Sequence, residues 1–269
     1  MSFCAILITY RANKYFAIWY KIDLERWMSM RIIICDNYEE MSKKAALVVA
    51  SQINMKPDCV LGLATGSTPE GMYRNLVEMH NNGDIDFSLV TSFNLDEYYP
   101  IAKKNVQSYD YFMKDKLFSH INISPEKTNI PNGEAQDADK ECADYEKLIE
   151  ASGGIDLQIL GIGQNGHIGF NEPDEFLYSH THKTSLTEST INANARFFAS
   201  AEEVPKNALT MGMATILKSK KILLLASGKN KHDAVKKILS GKITTSCPAT
   251  MLNIHSDLVI ICDNEAYNG

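Results

Sequence analysis

Residues 157–173 read LQILGIGQNGHIGFNEP, an apolar run followed at once by a glycine-rich loop that carries one histidine and one carboxylate. Leu157 to Leu160 predict a short buried strand. Four glycines then fall within nine residues and leave the backbone bare, which permits close approach to a ligand. The chemically active side chains of the loop are His167 and Glu172. The stretch therefore predicts a strand that delivers a binding loop; the alternative is a glycine-rich turn whose histidine only satisfies structural hydrogen bonds.

Around this stretch, from Met30 onward, strand-like and helix-like segments alternate, which is the pattern of a parallel sheet with helices on both faces. No repeat or low-complexity linker interrupts the pattern, so residues 30–269 are expected to form a single α/β domain. The predicted elements are strand Arg31–Cys35, a helix capped by Asp36 and ending near Met55, strand Val60–Leu63, a helix that starts at Pro69 with Thr68 as N-cap, strand Val90–Leu95, helices Tyr109–Phe118 and Asp137–Glu150, strand Leu157–Leu160, helix Val204–Lys218, strand Ile222–Ala226, helix Lys231–Ser240 and strand Leu258–Cys262.

The first 29 residues differ in composition from the rest of the chain. They hold seven aromatic residues, including both tryptophans, and no glycine or proline. Basic residues follow the apolar run Phe3–Tyr10 where a secretion signal would need a small-residue cleavage site, so no signal peptide is expected. We hypothesise that Met28 or Met30 is the biological start and that residues 1–29 are an extension created by a gene-start artefact.

Composition excludes several classes of protein. Hydrophobic residues make up 45% of the 269-residue chain and charged residues 22%, and no apolar run approaches the ~18 residues of a membrane span. A net charge of −6 argues against a nucleic-acid partner. Six cysteines without a Cys-x-x-Cys pair predict a reduced, cytoplasmic protein. No third ligand follows His180 and His182 at a recognisable spacing, so we expect no metal site.

Ligands of such sheets bind outside the carboxyl ends of the strands, so the loops after Leu63, Leu95, Leu160 and Ala226 are the candidates. The first of these loops places Gly66, Ser67 and Thr68 before a predicted helix. The free N–H groups and dipole of a helix start favour an anion. This loop is therefore a candidate phosphate cradle.

Cations and carboxylates occur near the other strand ends. Lys231 lies at a predicted helix start, and Arg196 stands beside apolar residues and is suited to forked phosphate contacts. For each cation alone, a solvated surface position is the alternative. Asp96 and Glu97 directly follow the third predicted strand. One is placed to act as a general base and the other to make structural hydrogen bonds, and the spacing leaves open which does which.

Four motifs together resemble the glucosamine-6-phosphate deaminase family, in order and spacing, from about Met30 to Asp263. They are LATGSTP at residues 63–69, FNLDEY at 93–98, GHIGFNEP at 166–173 and RFF at 196–198. The resemblance implies a Rossmann-like fold and conversion of glucosamine 6-phosphate and water to fructose 6-phosphate and ammonia, with no cofactor and no metal. It also implies a small-molecule sugar phosphate as the partner, without nucleic acid or membrane.

The resemblance implies a role for each matching side chain. Asp96 corresponds to the carboxylate that moves a proton between C2 and C1, His167 to the group that opens the sugar ring, and Glu172 to the residue that orients and tunes that histidine. The phosphate contacts of the family match these positions: Gly66, Ser67, Thr68, Arg196 and Lys231.

Two features of the chain depart from many members of the family. Asn165 stands where they have aspartate, and we hypothesise that its amide oxygen holds an imidazole N–H while Glu172 supplies the charge. The segment 179–184 lacks the basic pattern that hexameric relatives use for an activator, so a monomer or small homo-oligomer is expected. The rival interpretations are a 6-phosphogluconolactonase, which resembles this family in its glycine-rich histidine loop, and a non-catalytic sugar-phosphate sensor.

Overall fold

The computed structural model describes residues 30–187 and 204–269. Its strands are β1 (Met30–Cys35), β2 (Val60–Leu63), β3 (Thr91–Asn94), β4 (Asp96–Tyr99), β5 (Thr128–Asn129), β6 (Leu157–Leu160), β7 (His182–Ser185), β8 (Asn207–Thr210), β9 (Ile222–Ala226) and β10 (Leu258–Asp263). Its α-helices are α1 (Tyr38–Met55), α2 (Ser67–Asn81), α3 (Tyr109–Lys116), α4 (Ala138–Ala151), α5 (Met213–Leu217), α6 (His232–Leu239) and α7 (Asn264–Asn268). Short 3-10 segments include Lys229–Lys231 and Pro248–Ile254.

A parallel sheet of order β1-β10-β9-β6-β2-β3-β5 forms the centre of the molecule. Strands β2, β6, β9 and β10 are buried along their whole length, as expected of strands covered on both faces. Two apolar clusters lie on the opposite faces of the sheet: Leu160 belongs to one, and Leu157 and Ile159 to the other. The predicted Rossmann-like α/β fold is confirmed.

The order of the strands places a crevice at the middle of the sheet. From β2 the chain proceeds through β3 toward one edge, whereas from β6 it proceeds through β9 and β10 toward the other. Strands β2 and β6 are hydrogen-bonded neighbours, so the order reverses between them. In open α/β sheets ligands bind at such a switch point, outside the carboxyl ends of the strands. The loops after residues 63 and 160 are therefore adjacent at the expected site.

A second, antiparallel sheet of order β4-β8-β7 stands beside the carboxyl edge. This sheet is absent from the elements predicted from the sequence, and the prediction of one helix over Val204–Lys218 is wrong. In that range the structure has strand β8 and the five-residue helix α5. The segment is rich in helix formers, but β8 is paired on both sides, and these tertiary hydrogen bonds override local propensity.

Two predicted helix caps also need correction. The first helix is capped by Asn37, whose side chain accepts the N–H of Glu40, rather than by Asp36. Glu40 in turn accepts the N–H of Asp36, the residue before the cap, at 2.7 Å, so the helix start has an arrangement related to a capping box one residue later than predicted. Helix α2 begins at Ser67 after Gly66, and no side chain caps it, so Thr68 is not its N-cap. The first N–H groups of α2 thus have no side-chain acceptor within the helix start.

Candidate active site

Four adjacent strands, β9, β6, β2 and β3, bring their carboxyl ends to one edge of the sheet. The predicted loops after residues 63, 160 and 226 begin at the ends of β2, β6 and β9. The fourth loop begins one residue earlier than predicted, because β3 ends at Asn94 rather than at Leu95. Neighbouring strands are about 4.8 Å apart, so the four loops start within about 15 Å of one another.

The histidine loop after β6 is shaped by glycines that cannot be replaced without collision. A side-chain carbon on Gly163 would lie 2.3 Å from the His167 ring, which packs over that position. Gly166 has φ +89° and lies against Cys247, whose Sγ would be 2.2 Å from an added side-chain carbon. The N–H of Ala249 donates to the Gly166 carbonyl at 2.8 Å. The bare backbone predicted from the sequence thus serves to seat the imidazole as well as to admit a ligand.

Glu172 returns to the imidazole from the end of the same loop. Its Oε2 lies 3.2 Å from His167 Nδ1, a distance that makes an ion pair when the imidazole is protonated, although the two atoms are not aligned as a hydrogen bond. The Glu172 side chain is 12% exposed and the His167 side chain 29%. A carboxylate this close and this sheltered stabilises an imidazolium, because burial reduces solvent screening.

Asn165 connects the same two residues, but not in the way the sequence analysis expected. Its Oδ1 accepts the backbone N–H of His167 at 3.1 Å instead of an imidazole N–H. Its Nδ2 donates to Glu172 Oε2 at 2.6 Å, to the oxygen that faces the ring. The amide therefore holds the loop backbone and the carboxylate together. An aspartate in this arrangement would put a second negative charge against Glu172.

Asp96 reaches the histidine loop from the start of β4. In the β4–β8 pair it stands opposite Thr210. A side-chain carbon on Gly169 would lie 3.1 Å from Asp96 Oδ2 and 2.9 Å from Thr210 Oγ1. Gly169 follows His167 by two residues, so their Cα atoms are at most about 7.6 Å apart. The predicted convergence of Asp96 and His167 on one small region is therefore present.

The two neighbouring carboxylates, Asp96 and Glu97, have different surroundings. Glu97 is 2% exposed, and its carboxylate accepts backbone N–H groups of Tyr98 (2.9 Å), Tyr109 (2.8 Å) and Asp110 (2.9 Å), which fixes the start of α3. Asp96 is 6% exposed, and among residues 30–187 and 204–269 no hydrogen-bond donor contacts its carboxylate. Glu97 therefore makes the structural hydrogen bonds, which leaves Asp96 as the candidate for the general base.

Burial controls the proton affinity of both groups. Desolvation, followed by the charge of Glu97, raises the pKa of Asp96 to about 8. Desolvation raises the pKa of Glu97 to about 7, although the N–H groups of Tyr109, Asp110 and Tyr98 oppose the change. A carboxyl group with a pKa near neutrality can both accept and return a proton, which suits a general acid–base role.

The candidate phosphate residues occupy two helix starts at the carboxyl edge. Gly66 has φ +94° and precedes α2, and an added side-chain carbon there would meet no atom within 4 Å, so the backbone is open to a ligand. Ser67 and Thr68 form the first turn of α2. Lys231 precedes α6, which follows β9, two strand spacings or about 10 Å from β2. Arg196 lies outside the described residues.

Lys231 is a partly buried cation at the start of α6. Burial lowers the pKa of its ammonium group, and no carboxylate of residues 30–187 or 204–269 forms an ion pair with it. An unpaired, desolvated cation is costly, and a phosphate would remove that cost. The interpretation of Lys231 as a solvated surface residue is therefore not favoured.

The histidines considered as metal ligands have other partners. His180 Nδ1 lies 3.7 Å from Glu146 Oε2, and the His182 ring stacks on Tyr178 at 4.3 Å. Within the described ranges there is no group of three or more side chains able to hold a metal ion.

Thr210 lies at the candidate site but is not among the residues predicted from the sequence. Its hydroxyl accepts the N–H of Phe170 at 3.1 Å and lies beside Asp96 at the Gly169 position. Because residues 204–218 were predicted to be helical, the residue was assigned to the wrong element. The signal that could have placed it is Gly212, which interrupts the helical pattern two residues later.

Comparison with known proteins decides the family. The sequence model described as glucosamine-6-phosphate isomerases/6-phosphogluconolactonase matches residues 36–260, most of the chain. The chain belongs to this family. Glucosamine-6-phosphate deaminases of Thermoanaerobacter sp. (strain X514) and Clostridioides difficile (strain 630) are 61% and 59% identical to it over 237 residues, which cover 88% of this chain and 94% and 95% of theirs.

Solved structures separate the two branches of the family. A monomeric glucosamine-6-phosphate deaminase is 50% identical, with a TM-score of 0.86, and the match covers 88% of this chain and 98% of that one. The 6-phosphogluconolactonase from Trypanosoma cruzi is 19% identical with a TM-score of 0.73, covering 89% and 96%. The lactonase therefore shares the fold, whereas the close relatives in sequence are deaminases. In the described residues no helix is long and apolar enough to cross a membrane.

Proposed function

We propose that the chain converts glucosamine 6-phosphate and water to fructose 6-phosphate and ammonia. The observation that carries the proposal is the meeting of Asp96 and the histidine loop at Gly169, because aldose–ketose conversion needs a proton carrier beside the group that opens the ring. The deaminase relatives at 59–61% identity support it. Lactone hydrolysis needs an activated water but no proton transfer between carbons, so it gives no catalytic role to Asp96.

Binding begins at the phosphate. The open turn at Gly66, the free N–H groups at the start of α2 and the hydroxyls of Ser67 and Thr68 receive the phosphate oxygens. Lys231 supplies positive charge from the neighbouring helix start. We assign Arg196 the same role from its motif alone.

Ring opening is the task of His167. Its imidazole takes the proton of the anomeric hydroxyl and returns one to the ring oxygen, and the nearby Glu172 carboxylate stabilises the transient imidazolium. Asn165 holds that carboxylate in place. In this proposal Glu172 supplies the negative charge beside the imidazole, and Asn165 fixes the position of the Glu172 carboxylate.

Asp96 then carries the proton of the isomerisation. It removes the proton from C2 of the open-chain aldehyde while the aldehyde oxygen takes up a proton, which gives an enolamine. Delivery of the carried proton to C1 with loss of a proton from the nitrogen then leaves a hydroxyl at C1 and an imine at C2. Water adds to that imine and ammonia departs, so the atoms of substrate and products balance. A carboxyl group with a pKa of about 8 binds the proton strongly enough to hold it between the two steps and weakly enough to release it.

We propose that the protein acts as a monomer in the cytoplasm. The monomeric relative with a TM-score of 0.86 supports the first statement, and size-exclusion chromatography with light scattering tests it. Five buried cysteines, all free within the described residues, support a reducing compartment. The acidic net charge supports a small-molecule partner and no nucleic acid.

We also propose that residues 1–29 are dispensable. Strand β1 begins at Met30 and the family match at residue 36. A chain beginning at Met30 is expected to have the melting temperature and kcat of the 269-residue chain, and loss of either would show that the extension belongs to the enzyme.

The deciding assay is ammonia release from glucosamine 6-phosphate, measured in parallel with hydrolysis of 6-phosphogluconolactone. We expect ammonia in a one-to-one ratio with fructose 6-phosphate and no lactone hydrolysis above the spontaneous rate. Asp96→Asn is the matched control, since it removes the proton carrier and leaves the phosphate site intact. Folded protein that binds glucosamine 6-phosphate without releasing ammonia would instead identify a sensor, and lactone hydrolysis would identify the lactonase.

A further inference from the structure

Asp263 ends β10 at the carboxyl edge, next to the loop that leaves β9 and carries Lys231, and its carboxylate is buried. One face of the carboxylate holds the start of that loop: Ser227 Oγ donates to Oδ2 at 2.5 Å, and the N–H of Gly228 donates to both oxygens at 3.1 and 3.0 Å. Oδ1 also accepts the N–H of Ala266 at 2.8 Å, which caps α7. One side chain thus ties two segments together.

The loop held by Asp263 carries Lys231. Gly228 has φ +90°, a conformation that non-glycine residues rarely adopt, and this turns the chain from β9 toward α6. The N–H of Lys231 then donates to the Gly228 carbonyl at 3.0 Å. The position of the lysine backbone therefore depends on where Gly228 is fixed, and Asp263 is what fixes it.

Helix α7 adds a second constraint on the same region. Ala266 is fully buried in the apolar cluster that contains Ala234 and Val235 of α6. Gly269 packs against the His232 ring, since a side-chain carbon there would lie 3.3 Å from it. Capping α7 and anchoring the loop through one carboxylate couples the start of α6 to the end of β10.

We propose that Asp263 is a positioning residue that sets the phosphate-binding lysine, so that its loss weakens recognition of the substrate phosphate without slowing the chemistry. The inference rests on the proposed function for its substrate, but phosphate affinity can be measured without turnover. Asp263 lies at the end of a strand other than those that carry Asp96 and His167. Its effect is therefore expected on the Michaelis constant rather than on kcat.

The test compares Asp263→Asn with the wild type and with Asp156→Asn. In Asp263→Asn one carboxylate oxygen is replaced by an N–H₂ group, which cannot accept a hydrogen bond from the N–H or O–H groups that now donate to Asp263. The loop therefore loses at least one of the hydrogen bonds that hold it. Asp156 is a matched control, because it is also buried and accepts a backbone N–H, that of Val60, but it precedes β6 at the opposite edge of the sheet. Ser227→Ala removes one loop contact and leaves the cap of α7 in place, so it serves if Asp263→Asn does not fold.

Inorganic phosphate is the probe, titrated by phosphorus NMR and used as a competitive inhibitor. For Asp263→Asn we expect phosphate affinity to fall and KM for glucosamine 6-phosphate to rise, each about tenfold, with kcat within about twofold of the wild type. Ser227→Ala should change the same quantities by about threefold, and Asp156→Asn should change neither.

The proposal is overturned if Asp263→Asn and Ser227→Ala keep wild-type phosphate affinity, or if they lower kcat while KM is unchanged. A purely structural role would lower the melting temperature of both aspartate variants and leave phosphate affinity equal in all of them. If the wild type releases no ammonia, the proposed function fails, whereas the NMR titration still decides the role of Asp263.

Discussion

Asp96 predicts a specific dependence of activity on pH. With burial raising its pKa to about 8, half of the enzyme has an ionised base at that pH, about one molecule in eleven at pH 7 and about one in a hundred at pH 6. The free enzyme needs the carboxylate to accept the C2 proton, so kcat/KM should fall about tenfold per pH unit below 8. An unperturbed aspartate, titrating near 4, would give no such dependence.

The assay is the initial rate of ammonia release at limiting glucosamine 6-phosphate, measured in overlapping buffers of constant ionic strength between about pH 5.5 and 9.5. The ionisation of the substrate's own amine is titrated separately and divided out of the profile. Asp96→Asn is the control, with an expected loss of about 10² to 10⁴ in kcat. A corrected profile that is flat from pH 6 to 9 would refute the assignment of Asp96 as the free, buried base.

Stability gives an independent readout of the same group. Because the folded pKa of Asp96 lies above the unfolded value of about 3.9, the folded state binds this proton more tightly. The contribution of Asp96 to stability is therefore most favourable below pH 3.9, and it declines as pH rises until the folded group ionises near 8. Asp96→Asn should melt at increasingly higher temperature than the wild type between pH 5 and 8, with a constant difference above that. A difference in melting temperature independent of pH would contradict the buried charge.

Three further substitutions test the geometry. Glu172→Gln keeps the shape but removes the charge beside His167, and we expect kcat to fall about 10²-fold, whereas full ring-opening activity would show that the charge is not needed. Gly163→Ala places a carbon 2.3 Å from the His167 ring, so kcat should fall at least tenfold with little change in phosphate affinity; an unchanged kcat would mean that the ring can shift freely. Burial alone would raise the pKa of Asp156, but the ion pairs with Lys220 and Lys56 lower that pKa below its usual value. The stabilisation that the ionised Asp156 gives the fold is therefore present above pH 3.9 and is lost as pH falls through the folded pKa. Asp156→Asn should therefore lower the free energy of unfolding by about 2 kcal/mol at pH 7 and less at pH 3, and chemical denaturation that gives equal losses at both would exclude this cause.

The buried strands and the histidine loop could be predicted from sequence because their signals are local. Three of the four residues in Leu157–Leu160 are apolar and a glycine follows them, and Ile222–Ala226 is apolar throughout, so burial on both faces is expected from composition. The loop with His167 and Glu172 follows its strand directly. For these elements the sequence neighbours are also the structural neighbours.

Features that depend on distant partners could not be predicted in the same way. Strand β8 forms because β4 and β7 pair with it on either side. Residues 204–210 contain no sequence signal that would predict this pairing. The different tasks of Asp96 and Glu97 depend on the N–H groups at the start of α3, more than ten residues later. Asp263 bonds to residues about 35 positions earlier in the chain. Sequence spacing does not encode such contacts.

The position of β10 has a consequence for biosynthesis. In the order β1-β10-β9, the partner of β1 among residues 30–187 and 204–269 is β10. Until residues 258–263 have been synthesised, β1 lacks this partner and the loop with Lys231 lacks its anchor on Asp263. The central sheet and the loop with Lys231 therefore take the arrangement described here only after β10 has left the ribosome.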